Sequence, residues 1–179
     1  MQVHPPVPPP SEMPSSCLTR AVTHLRVAHL GLRDMEASDQ DRVLLGFFGV
    51  AVFGRSVTLA LQHLKTWDEP AFLAWYEPWV AQMRQDPLCR FFYELRTDIL
   101  HDVVPMVGVV LGAWGQNALR PGSVTVLDRP VPTEHRGKPI DDTSTSNLCR
   151  LYLAYLDELV ESSHALVWQI QDAWQAGHA

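Results

Sequence analysis

A helical apolar period sustained from Thr145 or Ser146 to about Ala176 limits what this chain can fold into more than any other feature. Leu148, Leu151, Tyr152, Tyr155, Leu159, Leu166 and Ile170 trace one stripe of an α-helix. A stripe that long cannot bury itself, so other helices must cover it. Leu18, Val22, Leu25, His29 and Leu32 predict a first helix from Ser15 or Ser16 to about Glu36. His24 and His29 have no matching ligand partner nearby and read as surface or rim histidines. Val43, Leu44, Phe47, Val50 and the run Val57 to Leu64 predict a second helix from about Asp39 to Lys65. Asp68-Glu69-Pro70 and Asp86-Pro87 each join an N-cap carboxylate to a first-turn proline, which predicts two further helix starts. In the first of these, Phe72, Trp75, Tyr76 and Trp79 read as a packed core corner, and Pro78 should kink or split the helix. The second, Asp86 to about Asp102, places Leu88, Phe91, Leu95 and Ile99 on one face.

The interruptions are informative too. Gly46, Gly49 and Gly54 each cost up to about 1 kcal/mol against alanine in a helix, a cost expected where two helices approach closely. Arg55 has apolar residues on both sides and is expected in or beside a crevice. Between the last two helices the period changes. Met106 to Leu111 is β-branched and apolar, and Ser123 to Leu127 alternates as a strand does. The polar, proline-rich stretch that follows, DRPVPTEHRGKPIDDTSTS, reads as a long functional or mobile loop. The expected fold is therefore all-α: a four- or five-helix up-and-down bundle with a small extended or β-hairpin insertion between the last two helices. Residues 1–14, which include HPPVPPP, read as a disordered tail ahead of a single domain over 15–179.

Composition narrows the function. A net charge of −6 excludes broad electrostatic coating of nucleic acid or membrane, yet leaves room for a small basic pocket. Lys65 and Lys138 are the only lysines, so the positive charge is nearly all arginine, a pattern that a GC-rich genome also produces. Cys17, Cys89 and Cys149 form no CxxC pair, so neither a zinc site nor a disulfide framework is expected. Cys89 and Cys149 read as small buried hydrophobes. Uninterrupted apolar runs fall short of a membrane span, and no basic-to-apolar leader opens the chain. The expectation is a cytoplasmic protein with no membrane partner. A Gly-rich loop after a strand, HExxH and GxSxG are all missing, and no cofactor or metal is expected.

What remains is Arg96-Thr97-Asp98-Ile99-Leu100-His101, at the end of the aromatic-rich phrase RFFYELRTDILH. An arginine clamps phosphate oxygens through two parallel hydrogen bonds, and a histidine serves as acid or base near neutral pH. The phrase resembles the signature of the HEPN superfamily of all-helical proteins. Members carry an Arg, usually a polar residue next, then a His after four to six intervening positions near the end of a bundle helix. Many are metal-independent ribonucleases of toxin–antitoxin, phage-defence and RNA-processing systems, with the active cleft at a dimer interface. The resemblance implies Arg96 and His101 as catalytic residues, with Thr97 and Asp98 supporting them. Thr97 stands where the family usually has Asn, Asp or His. The resemblance further implies an endoribonuclease acting on RNA as a homodimer, in a toxin–antitoxin or phage-defence system, with an antitoxin protein as partner in the first case.

Geometry bears on that reading. Five residues of an ideal helix turn through roughly 500°, so Arg96 and His101 would point about 140° apart. Either the helix ends before His101 or two copies combine their motifs. The competing readings keep the bundle without catalysis, as a nucleotide-, RNA- or protein-binding module, or as an interaction protein whose helix Phe72 to Met83 docks a partner. There Arg96 would pair with Glu69, Asp98 or another carboxylate, and His101 would cap a helix C-terminus. Arg129 and His135 match a looser form of the motif within the expected loop.

Overall fold

Residues 13–36, 39–101, 107–110, 123–126 and 129–178 are described by the structure, a computed structural model. Their order is α1 (Pro14–Asp34), α2 (Gln40–Gln62) with a single 3₁₀ turn (His63–Thr66), α3 (Glu69–Gln85) and α4 (Pro87–Leu100). The hairpin strands β1 (Val107–Val110) and β2 (Ser123–Val126), the short pair β3 (Glu134–His135) and β4 (Lys138–Pro139), and α5 (Thr145–His178) complete it. This is the expected all-α bundle with a small hairpin between the last two helices. Asp68 and Asp86, both read as caps, are caps, and Asp39 at the expected start of α2 is a third. Asp39 accepts from the backbone N–H groups of Asp41 and Arg42, Asp68 from that of Ala71, and Asp86 from that of Cys89.

Small residues set how the helices meet. Cys17, Ala21, Leu25, Ala28 and Gly31 form the buried face of α1, one residue away from the expected stripe, and Val22 is exposed. The shift follows from how closely α1 lies against α2. A Cβ on Gly31 would come within 2.6 Å of the Gly46 carbonyl oxygen, so the backbones cross with no room for a side chain. Further along α2, a Cβ on Gly54 would come 2.7 Å from the Tyr152 ring. That ring stacks on Phe92 of α4 at 4.2 Å and 7°, locking α2, α4 and α5 together. Gly49 meets only ordinary contacts. The aromatic corner is packed as expected: Phe72 and Tyr76 are buried, and Trp75 donates to Ser162 Oγ at 3.2 Å.

The stretch Asp41–Thr66 is long and apolar enough to cross a membrane by length and composition, with half of its apolar window buried. Counting only uninterrupted runs understates it. Here it is the helix against which α1, α4 and α5 pack.

Other boundaries differ from expectation for physical reasons. Pro14, assigned to the tail, is the buried first residue of α1, where its missing N–H costs nothing. The tail residues 1–12 lie outside the described ones. Pro78 does not split α3. The carbonyl it leaves without a donor, on Ala74, belongs to an exposed residue, and Pro78 is exposed as well, so water can serve it. α4 stops at Leu100, and Asp102 falls outside the described residues. β1 and β2 pair antiparallel from Val107↔Val126 to Val110↔Ser123, while their linker, 111–122, lies outside the described residues.

The long polar stretch is built in. β3 and β4 are joined by Arg136 and Gly137, both at positive φ (53° and 72°), the handedness a two-residue hairpin turn requires. Val131 and Ile140 pack onto the core.

Candidate functional site

α4 is held at both ends by that stretch, which runs along it as a strap. At the helix start, Asp86 is buried (4% exposed) and accepts three hydrogen bonds. They come from Cys89 N–H at 2.9 Å, Arg136 N–H at 2.6 Å and His135 Nδ1 at 3.0 Å. Burial pushes the carboxyl up, but the backbone donors and His135 outweigh it and hold Asp86 below the usual carboxylate range. Arg136 lies over the Tyr155 ring at 5.6 Å and pairs with Glu158 at 2.7 Å. Burial pushes the Cys89 and Cys149 thiols far up, so both stay protonated and unreactive, as small hydrophobes do.

Twelve residues on, the strap's Arg129 pairs with Asp98. Asp98 is therefore committed to the strap. It is also two positions from Arg96, a spacing that faces the two side chains apart on a helix. The Arg96 Nε is buried and has no hydrogen-bond partner among the described residues. No carboxylate pairs with Arg96 among them, Glu69 included, since Glu69 takes Lys65 at 2.9 Å. Other side chains, Gln171 among them, also bury an unpartnered atom. Arg96 differs in its neighbourhood. Thr97 turns its hydroxyl back to the Tyr93 carbonyl at 2.8 Å and offers it to nothing else described. His101 is the exposed C-cap residue, at φ −99° and ψ 24°, its N–H bonded back to Thr97 and Asp98.

α4 ends at Leu100, but the His101 N–H still makes the helical bond to the Thr97 carbonyl, so the chain leaves the helical path only beyond that N–H. A helix end one residue before the histidine therefore does not by itself bring Arg96 and His101 of one copy to the same side. The looser match in the strap is dismantled: Arg129 holds Asp98, and the half-buried His135 is bonded to Asp86. Among the described residues no three His, Cys, Asp or Glu side chains converge as metal ligands do. His29 pairs with Asp157 at 3.1 Å on the surface, and His24 stacks on Phe53. Arg55 does line a crevice, together with Arg84 and Arg90, which the sequence reading passed over. Arg90 has a local signal, its helical (i, i+4) neighbour Glu94, but Arg84 has none.

Comparison with family models, characterised proteins and solved structures returned no match.

Proposed function

We propose that the chain is a metal-independent endoribonuclease of the HEPN type, acting through Arg96 and His101. The observation that carries this reading is an arginine that no carboxylate among the described residues pairs with, its neighbouring acid drawn off by the strap, shortly before an exposed histidine. In the proposed reaction His101 takes the proton of a ribose 2′-hydroxyl as its oxygen attacks the adjacent phosphorus. The 5′-oxygen leaves with a proton from a second acid, the His101 of a second copy, giving a 2′,3′-cyclic phosphate and a 5′-hydroxyl end. Arg96 stabilises the charge that develops on the phosphoryl oxygens. The homodimer rests on the family resemblance and on the angle between the two side chains along α4. The same resemblance suggests a cytoplasmic toxin or defence protein with a neutralising antitoxin.

The test is RNA cleavage in EDTA, with the product ends identified. Arg96→Ala and His101→Ala should each lower the rate by about 10²-fold or more with the melting temperature unchanged. Full activity in both variants, or a rate that requires a divalent metal, would overturn the assignment. A second reading, a binding module of the same fold, predicts RNA retained by the chain and never cut.

A further inference from the structure

Arg55 is the only Lys, Arg, Asp or Glu between Arg42 and Lys65, in an otherwise apolar helix. Its Nη1 donates to Thr58 Oγ1, and its guanidinium lies 5.5 Å over the Tyr93 ring. No carboxylate among the described residues pairs with it. A half-buried cation met only by a hydroxyl and a ring face is costly to the fold, and it suits an anion that arrives from outside.

Such an anion has a place to bind. Arg55 opens onto a crevice of about 600 Å³ between α2, α3, α4 and α5, within the range of small-molecule sites. Arg84, from the last turn of α3, and Arg90, from the first turn of α4, line it as well. Its one acid among the described residues, Glu94, stands 3.9 Å from Arg90 in an exposed, loose pair. Three guanidiniums against one carboxylate make this a locally positive pocket on a chain of net charge −6. Its remaining wall is aromatic and apolar. Tyr93 is half exposed at 54%, and Gln62, fixed by its 2.9 Å bond to the Tyr76 hydroxyl, adds an amide.

We propose that this crevice binds a nucleotide, its phosphate held by Arg55 and Arg84 and its base laid against Tyr93. Arginine forks match phosphate oxygens, and an exposed tyrosine face suits a flat, unsaturated ring. Neither Arg96 nor His101 lines the crevice, so the inference stands apart from the ribonuclease reading.

Isothermal titration of the full chain with AMP, GMP, adenosine and inorganic phosphate tests it. A mononucleotide should bind, with the nucleoside and free phosphate each weaker by at least about tenfold. Arg55→Leu should weaken nucleotide binding by about tenfold or more while leaving the melting temperature unchanged or higher. Arg84→Gln, on an exposed position that cannot disturb the core, should weaken it by about threefold or more. No heat with either nucleotide at millimolar concentration would overturn the proposal, as would unchanged affinity in both variants. So would loss of RNA cleavage in Arg55→Leu in a protein that binds no mononucleotide, which would assign the crevice to a polynucleotide instead.

Discussion

At its N-terminal end α4 surrounds Asp86 with three donors, while at its C-terminal end it leaves Arg96 with a buried Nε that no described residue accepts from. The same strap serves both ends. At the start it supplies the Arg136 N–H and the His135 ring, and near the end it supplies Arg129, which takes the acid and leaves the base. Satisfied polar groups in a dry setting fix geometry. A group left with an unused donor is placed but not consumed, as binding and catalysis need. On the proposed reading, the difference between the ends is that between scaffold and site.

The largest stability effect should come from breaking the satisfied end. An Asp86→Asn variant keeps the shape and one acceptor but turns an NH₂ toward N–H donors. It should lose about 2–3 kcal/mol, read as a lower urea midpoint at unchanged slope. A loss below about 0.5 kcal/mol would mean the N-terminal network is no more structural than the other end. The gap should also depend on pH. Asp86 is held below its ordinary value in the folded state, so its contribution is fully present above about pH 4, the unfolded aspartate value. It is lost as the pH falls through the folded value. Parent and Asp86→Asn stabilities should therefore converge in acid. A gap that widens on acidification would reverse the assigned direction.

A middling effect is expected where the strap meets Asp98. Arg129→Ala removes a pair whose members are 14% and 32% exposed, so solvent screens it in part, and the loss should be about 1 kcal/mol. Hydrogen exchange should quicken in the last turn of α4 and stay slow at Cys89. Equal quickening at both ends would show that the strap acts as one unit and that the two ends are not distinct.

The helices were legible because their signals are local. Asp39, Asp68 and Asp86 each announce a start, and apolar residues at helical spacing announce a buried face. The α1 stripe was misplaced by one residue because alanine and glycine look weakly apolar in a pattern yet are what a close crossing at Gly31 and Gly46 requires. The strap was not legible. Its bonds join positions 129 to 136 with 86 and 98, and Arg136-Gly137 lacks the Asn-Gly or Asp-Gly signature of such turns. Arg55 could be singled out as a lone charge in an apolar helix, while Arg84 joins it only through the packing of α2, α3 and α4. Arg96 and His101 were legible as residue types at a spacing. That Asp98 is occupied elsewhere is tertiary information.

The smallest effect is the most discriminating. Arg96→Met keeps the length of the side chain, removes the charge and removes the buried, unpartnered Nε. If Arg96 were scaffold, matched by partners as Asp86 is, the change would cost about 1–3 kcal/mol, as losing a buried polar contact does. With no described partner to lose, the variant should instead match the parent or gain up to about 1 kcal/mol, since a thioether fills the space without a polar atom to desolvate. Arg96→Lys sharpens the point. It keeps the charge and loses the planar fork, so stability should again hold while RNA cleavage falls. Chemical denaturation of the three proteins side by side decides it. A clear loss of stability in Arg96→Met would place Arg96 with Asp86 among the scaffold residues and erase the contrast between the two ends of α4.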